Sequence, residues 1–118
     1  MSKRVAVIGG GCSGLAAIKC CVDERLEPVC FERTDEVGGL WHYTDNVRNG
    51  QACVMRSTVI NTSKEMTCFS DYPIPKELPS YMHNLRCYSI SRTTLSISSC
   101  TITSSTKHRH VIPVSDCM

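Results

Sequence analysis

The apolar positions at the start of the chain change from continuous runs to a helical spacing and back again. Residues 5–8 are all apolar, which is typical of a strand that is buried in a parallel sheet. Leu15, Ile18 and Val22 then recur at three- and four-residue spacing, as on the buried face of a helix. A second apolar run occupies residues 28–31. The pattern predicts a strand at 4–8, a helix at 13–25 and a strand at 27–32, the α/β order of a βαβ unit with a parallel sheet.

The pattern beyond residue 32 is less regular. Residues 38–43 predict a turn or short helix, and residues 53–60 predict an extended segment. Residues 85–118 contain eight Ser and five Thr but no Gly, and the alternation at residues 94–98 allows a strand. Because neither Gly nor Pro punctuates the chain between residues 85 and 112, a compact domain is not expected there. We therefore divide the chain into a folded part, 1–84, and a Ser/Thr-rich, irregular tail, 85–118, which we expect to be disordered.

A glycine-rich segment separates the first predicted strand from the predicted helix. Residues 9–14 have the pattern GxGxxG, which in this strand–turn–helix context is a signature of dinucleotide binding. Gly9 allows a tight turn, Gly11 lets the backbone approach a pyrophosphate, and Gly14 lets the helix pack close to the sheet. The helix N-terminus offers unpaired N–H groups to the phosphates. A glycine-rich turn of another kind of α/β protein is the alternative interpretation.

An acidic residue ends the second predicted strand. Glu32 follows Gly14 by 18 residues, where a carboxylate can accept hydrogen bonds from both hydroxyls of a ribose. The same carboxylate would repel a ribose 2′-phosphate, so FAD or NAD is favoured at this site and NADP is disfavoured. A Gly38-Gly39 pair follows six residues later.

Composition and charge exclude several other functions. A net charge of +2 on 118 residues indicates no nucleic-acid partner, and the length allows one domain at most. The nine cysteines show neither CxxC nor zinc-like spacing, so reduced thiols are expected and no metal site is. His108 and His110 are better explained by a solvated basic tail than by a metal. The chain carries no secretory signal and no apolar run of about 20 residues, so we expect no membrane span.

Several segments after Glu32 make a more specific match. Residues 31–41, 59–66, 68–75 and 81–84 resemble the corresponding stretches of the flavin-containing monooxygenases, the N-oxide-forming dimethylaniline monooxygenases. The resemblance implies a Rossmann-type FAD-binding domain, of which residues 1–84 are the beginning. It also implies an FAD- and NADPH-dependent enzyme that oxidises soft nitrogen or sulfur nucleophiles, or that inserts oxygen beside a ketone.

The resemblance assigns roles to individual residues. The glycine turn cradles the FAD pyrophosphate, and Glu32 holds the adenosine ribose. Leu40 and Trp41 lie along the flavin side of the cofactor. Asn61 is the catalytic residue, because its amide is linked to stabilising the oxygenated flavin, and Thr62 lies beside it near the flavin and nicotinamide rings. The complete set of expected cofactor-binding residues is Gly9, Gly10, Gly11, Cys12, Ser13, Gly14, Glu32, Leu40, Trp41, Asn61 and Thr62.

The printed sequence also departs from the family. Cys12 stands where Val is usual, and the resemblance stops after Asn84. The family's second glycine motif, which binds NADP, is absent from the 118 residues, as is the hydrophobic anchor that holds the family in the endoplasmic reticulum membrane. A truncated and inactive form of the enzyme is therefore expected, and a cytoplasmic location is left open. A non-enzymatic truncated isoform, or a small module that binds FAD or NAD, is the alternative.

Overall fold

A computed structural model describes residues 3–95, 101–104 and 111–113 of the chain. It contains an α/β arrangement whose first three elements form a βαβ unit. A 3₁₀ turn and a very short helix lie in the long connection that follows. The elements are β1 (Arg4–Ile8), α1 (Cys12–Asp23), β2 (Glu27–Glu32), the 3₁₀ turn (Gly39–Trp41), α2 (Lys64–Thr67), α3 (Asn84–Leu95), β3 (Thr101–Ser104) and β4 (Val111–Pro113).

The first two strands are parallel neighbours, and α1 is the crossover between them. Their register runs from Arg4 opposite Glu27 to Ile8 opposite Phe31. The predicted α/β fold is confirmed, and both predicted strands have the expected bounds. In the described part of the chain the sheet has the order β1-β2-β3-β4, with β3 parallel to β2 and β4 antiparallel to β3. Sequence patterning identified only the first two of these strands.

One core cluster joins α1 to the sheet. Leu15 and Ile18 of α1 are buried with Val7 of β1 and Cys30 of β2, and Val37 extends the cluster beyond the second strand. The helical spacing of the apolar residues puts them on the face that covers the sheet. Burying a side chain of this size contributes roughly 1.5–3 kcal/mol, so this face accounts for the position of α1.

A second core cluster joins the long connection to α3. Ile60, Ile74, Met82 and Cys87 are buried together, and Trp41 packs against them. The amide side chain of Asn84 donates to the Met55 carbonyl at 2.7 Å, and the Asn84 backbone N–H donates to Thr58 at 3.0 Å. Lys19 of α1 forms ion pairs with Asp23 and with Asp71 of the connection, which links the connection to α1. These contacts hold the long connection against α1 and α3.

Residues 53–60 do not form the regular extended segment that the sequence predicts. The chain turns at residues 56–57, and Val59 makes only an isolated antiparallel bridge with His83. A single bridge leaves most of residues 53–60 without a neighbouring strand. The segment therefore lacks the consecutive hydrogen-bonded pairs of a regular β-ladder.

Helix α3 lies largely within the segment that was expected to be irregular. Cys87 is buried in the second cluster, and the Ser89 and Thr93 hydroxyls donate to carbonyls four residues earlier, each at 2.9 Å. Hydroxyl groups satisfied in this way are compatible with a helix, although their residue types favour caps and turns. Thr94 and Leu95 end this helix and do not begin a strand. The expectations for residues 96–100, 105–110 and 114–118 lie outside the described residues, and a boundary between residues 84 and 85 stays a prediction.

Candidate functional site

A cleft opens at the carboxyl ends of β1 and β2. Ligands of open α/β sheets bind at this edge, next to the turn that leaves the first strand. The cleft has a volume of about 250 Å³. Its lining combines both strand ends with residues from the connection: Ile8, Gly9, Phe31, Glu32, Arg33, Thr34, Gly39, Leu40, Gln51 and Ala52.

The glycine turn has the conformation and the close packing that its sequence predicts. Gly9 has a φ of +97°, in the region that favours glycine, and its N–H donates to the Phe31 carbonyl at 2.9 Å. Gly14 lies so close to the turn that a Cβ there would stand 1.8 Å from the Gly9 carbonyl oxygen. Gly11 precedes α1 as its N-cap with a φ of −76°, which any residue can adopt. The fold itself therefore requires glycine at positions 9 and 14, whereas it does not require glycine at position 11.

Gly38 and Gly39 pack against the glycine turn at residues 9–14. The Gly38 N–H donates to the Gly10 carbonyl at 2.8 Å. Gly39 has a φ of +53°, and a Cβ at this position would lie 3.0 Å from the Gly11 Cα. Backbone therefore packs directly on backbone at the entrance to α1. The spacing of Gly38 and Gly39 after the acidic strand end is visible in the sequence, but their contact with the first turn could not be predicted from it.

Glu32 is held inside the site by the protein itself. Its side chain is buried, and Oε2 accepts a hydrogen bond from the Gly10 N–H at 2.6 Å. Oε1 accepts from both the backbone N–H and the hydroxyl of Thr34, each at 2.9 Å. Burial would raise the pKa of Glu32, but the hydrogen bonds from Gly10, Thr34 and the Arg33 backbone outweigh it, and the pKa lies below its ordinary value. The site thus keeps a charged carboxylate at the end of β2.

These contacts add a second role to the one that the sequence predicts for Glu32. The carboxylate fixes the glycine turn, because it bonds the Gly10 N–H while Gly38 bonds the Gly10 carbonyl. A ribose hydroxyl would have to share the carboxylate oxygens with Gly10 and Thr34. Ribose binding by Glu32 stays a prediction, and its part in holding the turn is a feature that sequence reasoning missed.

The depressed pKa of Glu32 predicts a specific acid sensitivity. Because the folded-state pKa lies below the ordinary value of 4.5, the charged form stabilises the fold above about that pH, and this contribution is lost as the pH falls through the folded pKa. We expect Glu32→Gln to cost about 1–3 kcal/mol at pH 7 and to reduce the loss of stability on acidification. Urea unfolding at several pH values measures both effects.

Glu36→Gln is the matched control for this prediction, because Glu36 is an exposed carboxylate of the same loop. It should leave both the stability at pH 7 and its fall at low pH near those of the original protein. Equal acid sensitivity of the Glu32→Gln variant and the original protein would contradict the proposed role of the carboxylate.

The other predicted site residues fall into separate places. Leu40 lines the cleft and is about half exposed, while Trp41 packs on the second core cluster. Asn61 and Thr62 are exposed, and the Thr62 hydroxyl pairs with that of Thr67 at 2.8 Å. In the described structure neither Asn61 nor Thr62 lines the cleft. Their roles at a flavin, and that of Trp41, stay predictions.

Two classes of feature are not found among the residues that the structure describes. None of the helices there is both long enough and apolar enough to cross a bilayer. Within the same ranges, no group of three or more His, Cys, Asp or Glu side chains could hold a metal ion.

The chain is similar to one protein family and to several curated proteins. The profile described as flavin-binding monooxygenase-like matches residues 2–94. The chain belongs to this family. It is 66% identical over 82 residues to flavin-containing monooxygenase 5 of Homo sapiens, a match covering 70% of this chain and 15% of that protein. It is 58% identical over 84 residues to dimethylaniline monooxygenase [N-oxide-forming] 2 of Cavia porcellus, covering 71% of this chain and 16% of that protein.

These matches confirm the resemblance and qualify its extent. The chain is more similar to form 5 than to form 2. This agrees with the segments on which the resemblance rests, 31–41, 59–66, 68–75 and 81–84, which look most like the fifth mammalian form. The family profile reaches residue 94, ten residues past the point where the resemblance was expected to stop. The chain spans only about 15% of the length of the curated relatives that it matches. Activity of a whole enzyme is therefore a separate question from family membership.

Two solved structures have a fold similar to that of this chain. The S-allyl-L-cysteine S-oxygenase of Allium sativum has a TM-score of 0.69 at 22% identity, covering 79% of this chain and 25% of that one, and it supports the fold alone. Tmm of Pelagibacter sp. strain HTCC7211 has a TM-score of 0.67 at 27% identity, covering 82% of this chain and 26% of that one.

Proposed function

We propose that this chain forms the part of a flavin-dependent monooxygenase that binds the ADP portion of FAD. The observation that carries the proposal is the cleft at the ends of β1 and β2, where the glycine turn and the charged Glu32 lie together. An adenosine ribose would occupy the carboxylate side of the cleft. The pyrophosphate would occupy the N-terminus of α1, where the N–H groups of the first turn and the helix dipole favour an anion.

The surroundings of Gly11 fit such a ligand. Its backbone conformation is open to any residue, and the nearest atom to a Cβ there would be the Gly39 Cα at an ordinary 3.8 Å. Neither strain nor crowding within the protein therefore requires glycine at this position. A ligand that approaches the backbone here supplies the missing reason, because a side chain would occupy the space that the pyrophosphate needs.

The remaining roles follow from membership of the family. FAD supplies the redox chemistry when it is bound, and NADPH is the proposed source of electrons. Leu40 would contact the flavin side of the cofactor from the cleft wall, with Trp41 behind it. The Asn61 amide would act near the reacting ring as a neutral hydrogen-bond donor, with Thr62 beside it. The proposed substrates are small soft nitrogen or sulfur nucleophiles, or ketones.

A binding experiment with fragments of the cofactor tests this proposal. We expect FAD to bind the purified chain and ADP to compete with it, while FMN, which lacks the ADP portion, neither binds nor competes. Adenosine 2′,5′-bisphosphate should compete more weakly than ADP, because its 2′-phosphate would meet the Glu32 carboxylate. Flavin fluorescence titration measures all four. FMN binding as tight as that of FAD would contradict the assignment of the ADP portion to this cleft.

Two other functions remain to be separated from this one. A small module that uses NAD would bind NAD at least as tightly as FAD, so NAD belongs in the same competition series. A non-enzymatic product would bind none of these ligands, and the flavin absorbance spectrum of the purified chain distinguishes it. The 118-residue polypeptide contains one glycine-rich nucleotide turn, so we expect it to show no NADPH oxidation by itself.

A further inference from the structure

A second and smaller cavity lies behind the glycine turn, between α1 and α3. Its volume is about 80 Å³, and most of its lining is apolar. Cys12, the first residue of α1, and Cys87, in the first turn of α3, both line it, and both are present as thiols. The nucleotide site proposed above uses the backbone at Cys12 and assigns no role to the thiol of either residue.

Cys12 and Cys87 line the same cavity of about 80 Å³, which places the two residues near one another. Burial raises the pKa of Cys87, and the neighbouring Cys12 raises it further. Cys87 is 7% exposed and Cys12 is half-buried, so an oxidant from solvent reaches Cys12 first.

We propose that Cys12 and Cys87 form an oxidisable dithiol site that closes to a disulfide between α1 and α3. A hydroperoxide oxidises the Cys12 thiol to a sulfenic acid and is itself reduced to the alcohol or to water. The Cys87 sulfur then attacks the Cys12 sulfur, the S–OH bond breaks, and the hydroxyl leaves as water with the Cys87 proton. Two thiols thus lose two electrons and two protons to the peroxide, and one S–S bond forms.

The fold restricts which other cysteines could form a disulfide with Cys12 or Cys87. Cys20 lies eight residues further along α1, a separation of about 12 Å along the helix axis. A disulfide needs its two Cα atoms within about 7 Å, so Cys12 cannot bond Cys20, nor the still more distant Cys21, while the helix is intact. Among the cysteines that the structure describes, Cys68 is a competitor for Cys87, since it packs against the same core cluster, but its thiol donates to the Glu65 carbonyl at 3.1 Å.

Tryptic mapping tests the proposal, because trypsin places these cysteines on different peptides. The relevant peptides are 5–19 with Cys12, 20–25 with Cys20 and Cys21, 65–76 with Cys68, and 87–92 with Cys87. The reduced full chain is treated with one equivalent of hydrogen peroxide, blocked with an alkylating agent, digested and analysed by mass spectrometry. We expect peptide 5–19 joined to peptide 87–92 as the main cross-linked product.

Two controls make the result specific. Oxidation in urea should spread the cross-links of peptide 5–19 over several partners, because the fold no longer selects Cys87. Cys12→Val should abolish the cross-link, and Cys20→Ser should retain it. In a separate measurement, the oxidised original protein should unfold at a higher urea concentration than the reduced protein. A main product joining 5–19 to 20–25, or 87–92 to 65–76, would overturn the proposal, and so would alkylated Cys12 and Cys87 with no cross-link between them.

Discussion

Replacing Gly14 by alanine is expected to prevent stable folding of the N-terminal βαβ unit. The added Cβ would stand 1.8 Å from the Gly9 carbonyl oxygen and 3.0 Å from the Gly9 carbonyl carbon. Both obstacles are backbone atoms, so no side-chain rotation relieves the clash, and either the turn or α1 must move. Such a movement would separate Leu15 and Ile18 from the sheet. We expect a loss above about 4 kcal/mol, a large part of the stability of an ordinary domain.

Urea unfolding followed by fluorescence measures this loss, because Trp41 is the only tryptophan of the chain. Gly50→Ala is the matched control. Gly50 also has a positive φ, +74°, but a Cβ there would meet nothing within 4 Å. The control should cost only the left-handed penalty of about 1–2 kcal/mol. Equal midpoints for the two variants would show that the close packing at Gly14 does not support the fold.

The local elements around the turn could be predicted because each has a short-range cause. The apolar runs specify β1 and β2, the spacing of Leu15 and Ile18 specifies the buried face of α1, and the glycine pattern specifies the turn between them. All of these signals act within a few residues. The position of the cleft also followed, since the carboxyl ends of parallel strands meet at one edge of the sheet.

Contacts between distant residues could not be predicted in the same way. The bond from Gly38 to the Gly10 carbonyl depends on how the chain returns after β2, and sequence spacing does not fix that path. Helix α3 was missed because Ser and Thr have weak helical preference, and its stability depends on Cys87 packing in a cluster formed by residues from 60 onwards. The hydrogen-bond partners of Glu32 were missed for a related reason. An acidic residue at a strand end is first interpreted as a group that binds a ligand, and only second as a group that accepts hydrogen bonds from nearby loops of its own chain.

Replacing Gly11 by valine is expected to abolish FAD binding while the protein remains folded. The φ of −76° accepts a side chain, and the nearest atom to a Cβ is the Gly39 Cα at 3.8 Å, so the fold has room for it. The cost to stability should be limited to about 1 kcal/mol, since valine is a poor N-cap. The side chain would, however, occupy the space between the N-terminus of α1 and the proposed pyrophosphate.

Gly11→Ser separates the ligand effect of this substitution from its effect on the helix. Serine is a good N-cap, so α1 should be at least as stable as in the original protein, but its Cβ and hydroxyl still project into the pyrophosphate space. We expect this variant to unfold at the original urea concentration and to bind FAD at least about tenfold more weakly, equivalent to 1.4 kcal/mol. Flavin fluorescence titration gives the affinity, and Trp41 fluorescence in urea gives the stability. Stoichiometric FAD on a folded Gly11→Val protein would refute the proposed pyrophosphate site, because a ligand that tolerates a branched side chain there does not lie against the glycine turn.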